Sequence, residues 1–100
     1  MKASSRAKKI LKSFPREIQE YFAEIDKTLQ KQGYTLFLGG GKLLNNGGRC
    51  SGYFDDVNKV LAVSINRNLE SVLSTLVHKY SHYQQKNDKT ATKHQVASCL

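Results

Sequence analysis

The chain is poor in cysteine, has no long apolar run, and carries no acid in residues 1–16. Its two cysteines, Cys50 and Cys99, lie far apart and form no C-x-x-C pair. No disulfide framework is implied, and both read as reduced thiols. No apolar stretch approaches the roughly 20 residues of a bilayer span, so no membrane partner is expected. The N-terminus is basic but lacks the apolar segment of a secretory signal. A cytoplasmic location follows as the default, with the nucleus open to a eukaryotic protein. No internal repeat is visible. Gly39, Gly40 and Gly41 precede Lys42, but Leu43 stands where a phosphate loop needs Ser or Thr. A mobile connection is the favoured reading of that run, ahead of a phosphate cradle.

One hundred residues, 39% hydrophobic and 24% charged, describe one small domain of ordinary globular composition. The net charge of +8 is high for this length and unevenly spread. Lys2, Arg6, Lys8, Lys9, Lys12 and Arg16 all fall in the acid-free N-terminal stretch. Such an arm suits a polyanion such as nucleic acid, and equally a solvated tail.

Pro15 can open a helix because a first-turn residue has no donor to lose. Ile18, Tyr21, Phe22, Ile25 and Leu29 then repeat at three and four, which predicts a helix over 15–32 closed by Gly33. Tyr34 to Leu38 reads as a short strand. Asn45, Asn46, Gly47 and Gly48 read as a loop or turn. Cys50 to Asp55 and Lys59 to Asn66 read as a hairpin around Asp56, Val57 and Asn58. The nearly continuous apolar run Val60–Ile65 predicts a strand buried on both faces. Asn66 or Asn68 then caps a helix reaching Gln85 or Asn87, with Leu69, Val72, Leu73, Leu76, Val77, Tyr80 and Tyr83 as its core stripe.

On that helix stand His78 and His82, one turn apart. Two histidines at i and i+4 can hold one zinc ion, and a third ligand plus an open position makes such a site catalytic. The familiar pattern is His-Glu-x-x-His, in which the glutamate takes a proton from the zinc-bound water. Here Lys79 occupies the glutamate position. The bland alternative is a structural histidine pair.

Gly52-Tyr53-Phe54-Asp55, then Lys59 to Ile65, then Leu73 to His82 resemble the core of the SprT-like zincins, the family that includes the Spartan DNA–protein crosslink proteases. The same residues resemble the small zincin-like peptidases of the ImmA/IrrE type found in phages. The resemblance implies an α+β fold: an N-terminal helix, a small three-stranded sheet and a metal-site helix beneath it. Residues 1–13 read as a flexible or frayed helical basic arm, and 14–100 would be the zincin-like domain. That domain would be minimal or cut short, since only Gln95 to Leu100 follow the expected third ligand. The resemblance implies zinc as cofactor, a protein or peptide substrate, and a third ligand beyond the helix. His94 fits, after a polar loop. Asp88 is the competing candidate, although Gln85 stands where that spacing pattern has its turning glycine. A glutamate ligand is excluded, because no Glu follows Glu70.

Lys79 is the departure. An ammonium has donors and no acceptor, so it cannot serve as the base. At about 5 Å from a dication its repulsion amounts to several kcal/mol even with moderate screening. A natural pseudoenzyme, an inactivating change, or a lysine acting as base with a depressed pKa would each account for it. The expected function is therefore a zinc metallopeptidase scaffold, inactive as it stands. The alternative is a non-catalytic basic module on the same fold, holding nucleic acid or an acidic partner.

Overall fold

The computed structural model describes residues 1–45 and 47–87. Strand β1 (Lys2–Ala3) leads directly into helix α1 (Ser5–Ser13). The Ser4 side chain accepts from the Ala7 N–H at 3.2 Å, a regular N-cap. Ala7 is fully buried, and Ile10, Leu11 and Phe14 pack partly against the core. Residues 1–13, expected as a flexible or frayed helical arm, are thus a short strand and a docked helix. Lys2, Arg6, Lys8, Lys9 and Lys12 lie on their exposed sides.

Helix α2 (Arg16–Lys31) follows and buries Phe22, Ile25 and Leu29. Gly33 ends it at φ 81°. Its N–H reaches the Gln30 carbonyl at 3.0 Å, and the Tyr34 N–H reaches Leu29 at 2.9 Å. This is a Schellman stop, which needs a left-handed residue. A Cβ on Gly33 would meet nothing within 4 Å. Gly33→Ala therefore tests backbone conformation alone and is expected to cost about 1 kcal/mol, a drop in Tm of roughly 4–8 °C. An unchanged melting curve would contradict the left-handed stop.

Strand β2 (Thr35–Gly39) comes next, then a separate hairpin of β3 (Leu43–Asn45) and β4 (Gly48–Cys50). Strands β5 (Gly52–Asp55) and β6 (Val60–Ser64) form the expected antiparallel hairpin. Asp55 closes its turn, accepting from the Val57 and Asn58 N–H groups at 3.0 and 3.1 Å. The main sheet is mixed and four-stranded, in the order β1-β2-β6-β5. The expected three strands gain β1, which pairs parallel with β2. The stretch after β2, expected as loops, carries the β3–β4 hairpin.

Leu36 pairs with Leu61 and Leu38 with Val63, so these four point to one face. All four are fully buried under the helices. Each such side chain stabilises the fold by about 1.5–3 kcal/mol. Ala62 and Ser64 of β6 are buried on the opposite face, as the apolar run predicted. Helix α3 (Leu69–Asn87) packs on β5 and β6, while α2 packs on β2. The molecule is a small α+β domain of three helices on a mixed sheet, among the described residues. No helix among them is long and apolar enough to cross a membrane.

Candidate metal centre

Asn68 starts α3, its side chain accepting from the Ser71 N–H at 2.9 Å. Val72, Leu76 and Tyr83 are the buried stripe, with Tyr80 partly buried beside them. Val77, expected in that stripe, is 49% exposed. It falls one residue past Leu76, which turns it about 100° away from the sheet. Tyr83 makes edge contacts with Tyr34 and Phe54 at 5.1 and 6.2 Å, and stacks on Tyr80 at 5.5 Å. This aromatic cluster fixes the rotation of the helix about its own axis.

That rotation sets the two histidines beside each other. The Nε2 atoms of His78 and His82 are 3.3 Å apart, with ring centroids at 4.9 Å. Two nitrogens each about 2.0–2.1 Å from one tetrahedral zinc would be separated by about 3.3–3.4 Å. The pair therefore fits the first two positions of such a site. Burial, then the charges of His78 and Lys79, hold His82 below the ordinary imidazole value of 6.5. A lowered value favours the neutral ring, the state a metal ligand requires.

Gly52 brings β5 down onto this helix. A Cβ there would lie 2.6 Å from Thr75 Cγ2, 3.0 Å from the Ala62 carbonyl oxygen and 3.6 Å from Lys79 Cγ. Only glycine allows the edge strand so close. A cleft of about 380 Å³ opens at this junction, lined by Cys50, Ser51, Gly52, Ser74, Thr75, His78 and Lys79. Lys79 is half-buried in it, at the position of the expected base.

The third-ligand candidates, His94 and Asp88, lie outside the described residues, as does Cys99. Among the described residues no group of three His, Cys, Asp or Glu side chains is placed to hold an ion. The residue that sequence reading passed over is Cys50, which shares the cleft with His78. Nothing in a separation of 28 positions reveals that proximity; it follows from β5 lying on α3.

The far end of α3 is tied to the β5–β6 turn. The Tyr34 hydroxyl donates to Asp56. Asp56 also pairs with Lys86 at 3.4 Å and Lys59 at 3.6 Å. The Tyr34 hydrogen bond, more than the two lysines, holds the Asp56 carboxyl below its usual value. Lys59 adopts φ 59° and sits 4.9 Å over the Tyr34 ring.

Comparison with protein-family models, characterised proteins and solved structures finds no match for this chain.

Proposed function

We propose that this chain is a zincin-like metallopeptidase scaffold, of the SprT-like or ImmA/IrrE-type kind, held inactive by Lys79. One observation carries the reading: the two imidazole nitrogens sit 3.3 Å apart on a helix that lies under an edge strand. A zinc ion bound there would supply a Lewis acid for a peptide carbonyl. His78 and His82 would hold it, with His94 or Asp88 as the third ligand. Among the described residues strand β5 has one unpaired edge, along which an extended peptide can add by backbone hydrogen bonds. Ser51 and Gly52 lead that edge past the cleft, which aligns a bound chain with the histidines. The missing part is the proton acceptor, since Lys79 fills its place with a donor.

A second reading keeps the fold and drops the chemistry: a basic binding module. What favours it is that Lys42 and Lys79 form no ion pair among the described residues.

The test of the first reading is metal binding by the chain as it stands. Cobalt(II) is expected to give a weak tetrahedral absorption spectrum that is lost in acid, because protonated imidazole cannot ligate. His78→Ala and His82→Ala should each abolish it. A cobalt spectrum that survives both substitutions would move the metal elsewhere and remove the basis of the assignment.

A further inference from the structure

Lys42, left without a role by the metal reading, reaches a residue that lines the same cleft. Lys42 Nζ donates to Ser51 Oγ at 3.3 Å. Ser51 lines the cleft together with Lys79 and Thr75. On the helix side Arg67 Nη1 donates to Thr75 Oγ1 at 2.9 Å. Arg67 lines an adjoining cleft that shares Ser74 and Thr75 with the first. Two cations are therefore tied to hydroxyls that line the cleft, Lys42 to Ser51 and Arg67 to Thr75, and a third, Lys79, lines it directly. Among the described residues none of the three pairs with a carboxylate. Among the described residues Glu70, in the adjoining cleft, is the one acid lining either.

Topology adds to this. Strands β1, β2 and β6 run parallel, and their carboxyl ends deliver Arg6, the glycine run and Arg67 to one end of the sheet. Arg6 packs on that run, its Cβ 2.7 Å from where a Cβ on Gly40 would lie. Ligands of sheets with parallel strands settle outside those carboxyl ends. Helices α1 and α3 both begin there, and their dipoles add positive potential.

We propose that this cleft is a phosphate-binding site, gripped by Lys42, Lys79 and Arg67 with the Ser51 and Thr75 hydroxyls. A phosphate presents several acceptor oxygens at once. Two ammonium groups, a guanidinium and two hydroxyls offer it matching donors from both walls. Lys79, which obstructs a metallopeptidase, is the central contact of this site. The phosphate comes either from a nucleic-acid strand or from a small free ester. The inference stands whether or not the histidines take zinc.

The test uses the full chain with a chelator present, so that no metal contributes and failure leaves the zinc reading untouched. Inorganic phosphate, a nucleoside 5′-monophosphate and a single-stranded oligonucleotide of about eight residues are titrated separately while amide shifts are followed by NMR. Shifts are expected at Ser51, Gly52, Thr75 and Lys79. Lys79→Gln and Lys42→Gln should each weaken binding roughly tenfold, as for a lost charge-assisted hydrogen bond. Lys27→Gln, on the exposed side of α2, should not. Thermal melts confirm folding, and Lys42, exposed in a loop, can be changed without touching the core. Tighter oligonucleotide binding, with a salt slope that falls by about one per lysine removed, identifies a nucleic-acid backbone as the source. Equal affinity for all three probes identifies a free phosphate ester. No shift with any probe, or shifts undiminished in both glutamine variants, overturns the proposal.

Discussion

Lys79→Glu is expected to raise zinc affinity by roughly a hundredfold or more and to switch on peptide hydrolysis. The change removes one positive charge and adds a negative one beside the His78/His82 pair. At about 5 Å from a dication that reversal is worth several kcal/mol even when well screened. Each 1.4 kcal/mol is about tenfold in affinity. The new carboxylate also restores a proton acceptor, and a positioned general base contributes about 10²–10⁴ to a rate. Calorimetric zinc titration and cleavage of an unfolded protein substrate measure the two effects separately. A Lys79→Glu protein that binds zinc no better than the parent, and cleaves nothing in an open substrate screen, would leave the metallopeptidase reading without support. Zinc gained without cleavage would place the defect in the third ligand instead.

Gly52→Val is expected to destabilise the fold by about 3 kcal/mol or more. Its Cβ would meet Thr75 Cγ2 at 2.6 Å and the Ala62 carbonyl oxygen at 3.0 Å. The first atom ends a side chain that can turn. The second is backbone of the neighbouring strand and has little freedom to give way. Overpacking costs typically 1–3 kcal/mol, and the branched side chain of valine exceeds the methyl considered above. For a domain of this size that lowers Tm by well over 10 °C. The smaller Gly52→Ala change isolates the contact. Thr75→Ser removes the offending methyl while keeping the hydroxyl that Arg67 uses, so the Gly52→Ala/Thr75→Ser protein should recover part of the loss. A double-mutant cycle with no coupling would show that the strand and helix are not in contact as described.

Much of the scaffold was readable from pattern. Helix α2, the β5–β6 hairpin and α3 each carry a strong period or a run of apolar residues with turn residues between. Their bounds in the structure differ from expectation by a residue or two. Helix α1 was legible only as a frayed helical arm, although Ala7, Ile10, Leu11 and Phe14 follow the helical period. The basic residues between them drew attention to charge, and a short helix gains its stability from docking, which propensity does not reveal. Strand β1 is two residues long and carries no pattern at all. It exists because β2 offers an edge for Lys2 and Ala3 to pair with.

The candidate site divides the same way. The i, i+4 relation of His78 and His82 is local, so sequence places both rings on one helix face. The cleft beside them is assembled from β4, β5 and α3, and its Lys42–Ser51 contact joins residues from separate segments. Such proximity depends on how the sheet is closed, and no local pattern encodes it. Gly52 carries no local sign of its function as a spacer, which appears only against Thr75.

The order of pairing in the sheet has a kinetic consequence. Strands β5 and β6 join through a tight turn, and α3 follows at once, so residues 52–87 can collapse through short-range closures. By contrast, β2 must find β6 with Leu36 opposite Leu61, and β1 must find β2 with Lys2 opposite Phe37. Such parallel pairings require long loops to close and are slow to form. The histidine helix and its edge strand should therefore assemble as one early unit. In pulse-labelled hydrogen exchange during refolding, amides of β6 that bond to β5 should be protected before those that β2 shares with it. Simultaneous protection would instead indicate one cooperative nucleus spanning the whole sheet.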